Sequence, residues 1–165
     1  MRMTLLLVLL CGVRLAAQDM SSCPMHKDKS RHQADVEEHG DEAMGFPHDK
    51  TTHHFRLSPE GGAIEVTVDD AKDTGDLQAI RMHLRHVVLM FSNGDFSIPM
   101  IIHSQTPPGA AEMKDRRADI TYRLEELPTG GRVRIETANH DALNAIHDFL
   151  IFQIQDHHTG DPTQP

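Results

Sequence analysis

The chain has few aromatic residues, few cysteines and no excess of positive charge. Its 165 residues include no Trp, one Tyr, six Phe and two Cys. Acidic residues outnumber basic residues by 25 to 16, which gives a formal charge of −9 with neutral histidines. A chain this acidic has no electrostatic attraction for nucleic acid or for anionic lipid, which argues against both as partners.

The first 17 residues have the pattern of a secretory signal peptide. Arg2 precedes an apolar run over residues 5–13, and small residues lead up to Ala17. The run is too short to span a bilayer as a helix. We therefore expect cleavage after Ala17, a periplasmic or secreted location, and no membrane span in the mature chain. Lipid attachment at Cys11 is the alternative that this segment leaves open.

Residues 18–43 are rich in His, Met and charged side chains, and their few apolar residues follow no period. Little apolar surface is available to offset the entropy of ordering, so the composition predicts a disordered leader. Cleavage at residue 17 leaves Cys23 as the single cysteine, which excludes an intramolecular disulfide. An unpaired thiol in an oxidising compartment indicates a ligand, an intermolecular bridge or a reactive group.

The leader contains the tetrapeptide CPMH, which places Cys23, Met25 and His26 within four residues. A thiolate, a thioether and an imidazole suit Cu(I) better than Mg²⁺ or Ca²⁺. The tetrapeptide resembles the Cys-Pro-Met-His core of heavy-metal-binding segments in copper and heavy-metal export systems, although Lys27 replaces the proline that usually follows. The resemblance implies a flexible capture arm for Cu(I), and a chance cluster in a solvated linker is the alternative.

Two later stretches share one pattern: FRLSPEGGAIEVTV (55–68) and YRLEELPTGGRVRIET (122–137). Each begins aromatic-Arg-Leu, reaches a Gly-Gly pair and then alternates apolar with polar residues, as a β-hairpin does. A helical pattern follows each of them, at 76–91 and at 141–158. The order hairpin–helix, connector, hairpin–helix predicts an α+β fold of two ββα repeats, with a four-stranded antiparallel sheet and both helices on one face.

These patterns also predict the boundaries of the folded part. We expect a single domain over residues 44–158, followed by a polar tail at 159–165. Its repeats cover 52–94 and 119–158, and an apolar loop at 95–118 joins them.

One flank of the first predicted helix carries His83, His86 and Met90 beside the apolar stripe. Side chains three and four residues apart are neighbours on a helix, with Cβ atoms about 5–6 Å apart. Aligning the repeats pairs His83 with Phe149 and His86 with Phe152, so the second repeat fills this flank with aromatic rings. A buried imidazole without a partner costs about 1–3 kcal/mol, so each requires a hydrogen bond or a metal. Ordinary hydrogen-bonded histidines are the alternative reading.

Further candidate ligands lie outside this helix. The connector is too apolar for a solvated loop and carries His103 in its middle, as a small pocket would require, although a packing loop is the alternative. If residues 52–57 form a strand, His53 and His54 point to opposite faces, so at most one of them faces a buried site. The sequence therefore predicts a folded metal site of His83, His86 and His103, with Met90 or one of His48 and His54 nearby.

The chain lacks a Gly-rich phosphate loop, a G-x-S-x-G elbow and a zinc protease signature. The leading hypothesis is an exported protein that binds a transition metal, copper first and zinc second, for buffering or delivery. Its partners would be the ion and an exported metalloprotein or transporter. A metal-dependent enzyme using the same histidines, with Asp95 as an acid–base partner, is the main alternative. Non-covalent haem binding and a ligand-free interaction domain also remain open.

Four stretches of the chain resemble a group of uncharacterised exported bacterial proteins of this length: MGFPHDKTTHHFRL, IRMHLRHV, QTPPG and IHDFLIFQIQDH. The likeness covers nearly the whole predicted domain and implies an exported protein without a particular activity. Some members of the group carry the label aspartate carbamoyltransferase. This chain lacks that enzyme's Ser-Thr-Arg-Thr phosphate-binding motif and is much shorter, so its motifs do not support the label.

Overall fold

The computed structural model describes residues 24–165, with side chains described from residue 31 onward. No helix in this part of the chain is both long enough and apolar enough to cross a membrane. Short 3₁₀ turns occupy His48–Lys50 and Arg117–Asp119. The main elements in chain order are α1 (Pro24–Met44), β1 (Thr51–Ser58), β2 (Gly61–Val68), α2 (Thr74–Ser92), α3 (Ser97–His103), α4 (Ala110–Asp115), β3 (Ile120–Leu127), β4 (Gly130–Thr137) and α5 (His140–Asp156).

The four strands form one antiparallel sheet in the order β1-β2-β4-β3. The two hairpins have strands of eight residues each and meet through β2 and β4 at the centre of the sheet. Ile64 lies opposite Val133 in this central pair. These two residues hold equivalent positions in the two repeats, so the pair marks a pseudo-twofold axis. The α+β fold with a four-stranded antiparallel sheet is thereby confirmed.

The helices α2 and α5 cover the same face of the sheet, and each packs against the hairpin of the other repeat. A Cβ atom added at Gly131 in β4 would lie 2.9 Å from Leu84 Cδ1 of α2. A Cβ atom at Gly62 in β2 would lie 2.4 Å from Leu150 Cδ1 of α5. The Gly-Gly pairs and the aligned leucines of the sequence therefore serve one purpose: bare backbone in each hairpin lets the other repeat's helix approach closely.

The opposite face of the sheet carries charged side chains that pair with one another. Arg132 donates to Glu65 at 2.7 Å across the two central strands, and Glu125 lies 3.4 Å from the same guanidinium. This alternation of buried and charged residues is typical of an antiparallel sheet that is covered on one side only. The apolar core consequently lies in one layer between the sheet and the helices.

Residues 24–44 form the helix α1, where the composition predicts disorder. Val36 is buried at 1% exposure, and Met44 packs against the core. The side chain of His32 contacts Asp156 of α5 at 3.0 Å. Two apolar anchors and residues that favour helices suffice here because the folded domain supplies the surface against which the helix docks. Residues 18–23 and the predicted signal peptide, residues 1–17, lie outside the described residues.

The connector, predicted as an apolar loop over 95–118, contains the helices α3 and α4. Packing explains part of its apolar composition: Phe96 contacts Phe91 with ring centroids 4.4 Å apart and Phe149 at 5.8 Å, and Ile102 is buried, whereas Met100 and Ile101 are exposed. Pro99 lies in the first turn of α3, where its missing N–H has no helical partner to lose. The prediction of a loop was wrong because two short helices with few residues give too little periodicity to recognise in sequence.

Candidate functional site

A larger surface cleft and a smaller cavity share three lining side chains. The cleft has a volume of about 250 Å³ and lies between α1, β1 and the C-terminal tail. The cavity has a volume of about 60 Å³ and lies under the sheet among α2, α3 and α5. Met44, His53 and His157 border both spaces, and we call these three residues the neck. The neck therefore lies between a larger space of mixed polar and apolar lining and a smaller, largely apolar one.

His53 extends from β1 towards the helices, on the same side of the strand as Phe55. Its ring stacks on Phe46 at 6.1 Å and on His157 at 6.2 Å, with the two imidazole planes 5° from parallel. The Nε2 atom is buried and has no hydrogen-bond partner among the described residues. Burial, followed by the neighbouring His48 and His54, lowers the pKa of His53 to about 4. The ring is therefore neutral at pH 7, with one nitrogen left unsatisfied.

His157 and His83 are neutral for the same reason. Burial, followed by the nearby His103 and His53, lowers the pKa of His157 to about 3. The ring of His157 packs against Phe55 at 5.4 Å and against His103 at 4.9 Å. Burial also lowers the pKa of His83 to about 4, with His53 as the next cause. Three unprotonated imidazoles thus surround the neck and cavity, which is the form that metals bind.

His103 lies at the inner wall of the cavity and is 1% exposed. Its Nδ1 atom lies 2.5 Å from a carboxylate oxygen of Asp156, and its Nε2 atom lies 3.0 Å from the amide oxygen of Gln153. Asp156 also contacts His32 of α1 at 3.0 Å, so one carboxylate joins two histidines. Hydrogen bonds from both histidines hold the pKa of Asp156 below its usual range, although burial acts against this.

Three of the predicted ligands share one arrangement, in which a carboxylate is bonded to Nδ1. Besides His103, His48 contacts Asp41 at 3.0 Å and His54 contacts Asp161 at 2.8 Å. A carboxylate on one ring nitrogen fixes the ring and its tautomer, and this second contact accompanies most histidines that bind metals. His48 and His54 both border the cleft, so two oriented rings flank the approach to the neck.

Asp161 anchors the C-terminal segment, which the sequence predicts to be a plain polar tail. Its side chain is 5% exposed and accepts hydrogen bonds from the backbone N–H of Phe55 at 3.0 Å and from the hydroxyl of Thr159 at 2.7 Å. These bonds and the bond from His54 lower the pKa of Asp161, although burial opposes the shift. The segment is therefore one wall of the cleft.

Replacing Asp161 with Ala should lower the free energy of unfolding by about 2 kcal/mol, because the Phe55 N–H then loses its acceptor. Asp148→Ala on the exposed side of α5 is the control and should change it by less than about 0.5 kcal/mol. Urea unfolding of both variants gives the comparison. Faster amide exchange at Phe55 in Asp161→Ala alone would identify the cause. Equal stability of the two variants would contradict the anchoring role.

The flank of α2 is split between buried and exposed positions. His83 is mostly covered and its ring contacts Phe46 at 5.7 Å, whereas His86 is exposed to solvent and Met90 is partly buried against the core. At about 100° per residue, His86 lies nearly twice as far round the helix from the core stripe as His83 does. The structure therefore places His83 and His103 at the cavity and does not bring His86 to it.

The remaining predicted residues are Asp95 and the three ligands of the leader. Asp95 is exposed and its carboxylate accepts a hydrogen bond from the backbone N–H of Ser97, which supports the start of α3. Cys23 lies outside the described residues. For Met25 and His26 the structure describes the backbone only, in the first turn of α1.

Four residues that border these spaces were not predicted from the sequence as site residues: Met44, His53, Gln153 and His157. For His53, the strand alternation already implied that one histidine of the pair turns inward, and the inward one is His53 rather than the predicted His54. For His157, the stripe of α5 through Ile146, Phe149 and Gln153 continues at helical spacing, which would have signalled a buried ring. The contact of His157 with Phe55 of β1 shows that the chain still packs on the sheet where α5 ends.

Within residues 24–165, no group of three or more His, Cys, Asp or Glu side chains is arranged to hold a metal ion. That absence concerns His, Cys, Asp and Glu side chains, so it does not apply to a site that combines two imidazoles with a methionine thioether. No family model, no curated protein and no solved structure matches this chain.

Proposed function

We propose that this protein binds a soft transition-metal ion, copper first and zinc second, at the neck between the cleft and the cavity. The observation that carries the proposal is the buried, unpaired Nε2 of His53, which lines both spaces together with Met44 and His157. An unsatisfied buried nitrogen costs about 1–3 kcal/mol, and coordination of an ion would remove that cost.

The kinds of side chain at the neck favour Cu(I) over zinc. Two neutral imidazoles and a thioether form a soft donor set, and thioethers select Cu(I). Structural zinc sites have four ligands, mostly Cys and His, and the described residues hold no group of three such side chains or carboxylates that would serve. His53 and His157 would supply nitrogen, and Met44 would supply sulfur. His83, at the inner side of His53, is the candidate for a third nitrogen.

The low pKa values of these histidines also suit metal binding. A protonated imidazole cannot coordinate, so a site whose rings have pKa values of about 3 to 4 binds metal at neutral pH without displacing a proton. The oriented rings of His48 and His54 in the cleft would receive the ion first. The predicted leader ligands Cys23, Met25 and His26 would serve as the capture arm. With the predicted signal peptide, these features describe an exported protein that buffers or delivers copper.

The haem alternative requires much more space than the cavity offers. A cavity of roughly 150 Å³ holds a benzene ring, whereas this cavity measures about 60 Å³. Porphyrin binding would therefore require the helices to separate from the sheet. We accordingly favour a bare ion over a prosthetic group.

Titration of the metal-free protein with Cu(I) under anaerobic conditions, in competition with a chromogenic chelator, tests the proposal. We expect His53→Ala to weaken Cu(I) binding by at least about 100-fold, because losing even an outer partner of a ligand costs about 10- to 100-fold. Met44→Leu should weaken Cu(I) binding and leave Zn(II) binding unchanged, since only the thioether is lost.

His86→Ala is the matched control, because this histidine lies on the same helix as His83 and is exposed. Its affinity for Cu(I) should equal that of the parent protein. The triple variant Cys23→Ser, Met25→Leu, His26→Ala separates the arm from the neck, since it should remove only the second equivalent of Cu(I). If His53→Ala and His86→Ala bind Cu(I) with the affinity of the parent, the neck is not a metal site.

A further inference from the structure

The strands β1 and β3 are the two edges of the sheet, and they differ in what lies beside them. At β1, the backbone N–H of Phe55 points away from β2 and donates to Asp161, so the C-terminal segment covers that edge. Leu124 is the fifth residue of β3, as Phe55 is of β1, and both hairpins have the same register. The N–H of Leu124 therefore also points away from the sheet. Among the described residues, no backbone group outside the sheet bonds to it.

The open face of the sheet carries a row of alternating charges that ends at β3. Glu65 lies opposite Arg132, and Arg132 lies opposite Glu125 of β3. The next charged residue of β3 on this face, Arg123, lies opposite Arg134 instead. Arg123 is exposed and takes part in no ion pair within the described part of the chain. Because like charges directly opposite each other destabilise a sheet, Arg123 lacks an acidic neighbour on its outer side.

A second copy of β3 in antiparallel orientation supplies that neighbour. A twofold axis at Leu124 places this residue opposite itself, so that the outward N–H and C=O groups of the two copies bond to each other. The same register places Arg123 opposite Glu125 of the second copy, and the symmetry repeats this pair. An axis at either adjacent residue would instead place arginine against arginine or glutamate against glutamate. Charge therefore selects one register.

The helix above this edge also has surface that pairing would cover. Since α2 packs on both β3 and β4, and neighbouring strands lie about 4.8 Å apart, the two α2 helices would lie roughly 10 Å apart, an ordinary distance for packed helices. Arg85 of α2 reaches Glu126 of β3 at 2.9 Å, which shows which side of the helix faces the edge. Leu89 lies one turn further on that side and is 61% exposed.

We propose that two copies of this chain form a dimer by pairing β3 with β3, with a twofold axis at Leu124. Four strands from each copy then form one eight-stranded sheet, and Arg123 of each copy pairs with Glu125 of the other. An open edge strand is a template for such pairing. The interface does not include the neck, so this inference is independent of metal binding.

Sedimentation equilibrium of the protein over a range of concentrations tests the proposal. Chelator and reductant are present, so that neither a bridging metal nor a disulfide through Cys23 joins two chains. We expect a dimer for the parent protein. Arg123→Glu and Glu125→Arg should each weaken dimerisation by at least about 10-fold, because each places like charges opposite each other at two places.

The decisive sample is an equimolar mixture of these two variants. In a mixed dimer, the introduced glutamate faces the introduced arginine, and the native Glu125 of one chain faces the native Arg123 of the other. The mixture should therefore form dimers with about the affinity of the parent protein. Lys72→Glu is the matched control, because it makes the same change of charge at an exposed position in the loop between β2 and α2. It should leave dimerisation unchanged.

Leu124→Pro is the second variant and is used if Glu125→Arg does not fold, as circular dichroism shows. Proline is tolerated on an edge strand where the N–H faces outward, and it removes the bonds at the twofold axis, so this variant should be monomeric. A monomeric parent protein overturns the inference. Dimers that persist in Arg123→Glu or Leu124→Pro place the interface elsewhere, and two monomeric variants that do not associate when mixed exclude this register. None of these results bears on copper binding at the neck.

Discussion

At pH 5 the metal-free protein should be less stable than at pH 7 by several kcal/mol, on the order of 2 kcal/mol for each of three buried histidines. Burial lowers the pKa of His53 and His83 to about 4 and that of His157 to about 3. In the unfolded chain the same rings titrate at about 6.5. At pH 5, folding therefore keeps three imidazoles neutral, whereas the same imidazoles are protonated in the unfolded chain.

The direction of this effect follows from which state binds more protons. Above about pH 6.5 the rings are neutral in both states, and these histidines make no difference to stability. Below that pH the unfolded chain binds protons that the folded protein does not bind, so the free energy of unfolding falls as the pH falls. The loss continues until the pH approaches the folded-state pKa values near 4. Urea unfolding in the presence of a chelator at pH 7, 6 and 5 measures it.

The second repeat suggests the variant that isolates one of these groups. Phe149 stands at the position aligned with His83 and is 1% exposed, so an aromatic ring already fills that place in the other half of the fold. His83→Phe should retain stability at pH 7 and reduce the loss between pH 7 and pH 5 by roughly a third. His86→Ala, at the exposed position, should leave the profile unchanged. Identical profiles for the two variants would show that burial of His83 does not oppose its protonation.

Gly62→Ala should destabilise the protein by about 3 kcal/mol or more, which is a large part of the stability of a domain of this size. The new Cβ atom would lie 2.3 Å from the carbonyl oxygen of Arg56 and 2.4 Å from Leu150 Cδ1. The carbonyl belongs to the neighbouring strand and cannot move without breaking the ladder between β1 and β2.

The equivalent change in the other repeat should be milder. At Gly131 the nearest atom is Leu84 Cδ1 at 2.9 Å, the end of a flexible side chain, so Gly131→Ala should cost about 1–2 kcal/mol. Gly75→Ala is the control, because its Cβ would meet nothing closer than 3.5 Å and alanine favours the helix. Thermal and urea unfolding should show the largest loss of stability for Gly62→Ala, a smaller loss for Gly131→Ala and the smallest for Gly75→Ala. A neutral Gly62→Ala would contradict the close packing of α5 on the first hairpin.

The architecture could be predicted from the sequence because its signals are local. Alternation over residues 61–68 and 130–137, a Gly-Gly pair at the head of each stretch, and helical stripes through Leu84 and Leu150 each depend on a few adjacent residues. Repetition of the whole unit then implied a symmetric sheet. The strand order could not be predicted in this way, because β2 and β4 pair through residues that are far apart in the sequence.

The histidine chemistry was only partly predictable, for a geometric reason. Spacing along α2 showed that His83 and His86 share a flank, but the boundary between covered and exposed positions depends on what packs against that flank. Phe46 covers His83, whereas His86 is exposed in the described part of the chain. The neck was not predicted as a site, because its members come from the end of α1, the middle of β1 and the end of α5.

The sequence by itself determined the two ββα repeats, the acidic and histidine-rich character, and the presence of imidazoles near a core. Those properties depend on composition and on periods of two and 3.6 residues, which any window of the chain reveals. Only the tertiary structure decided that Met44, His53 and His157 border one neck and that Gln153 borders the cavity. Burial depends on distant segments meeting, and burial is what removes water from these rings and lowers their pKa values.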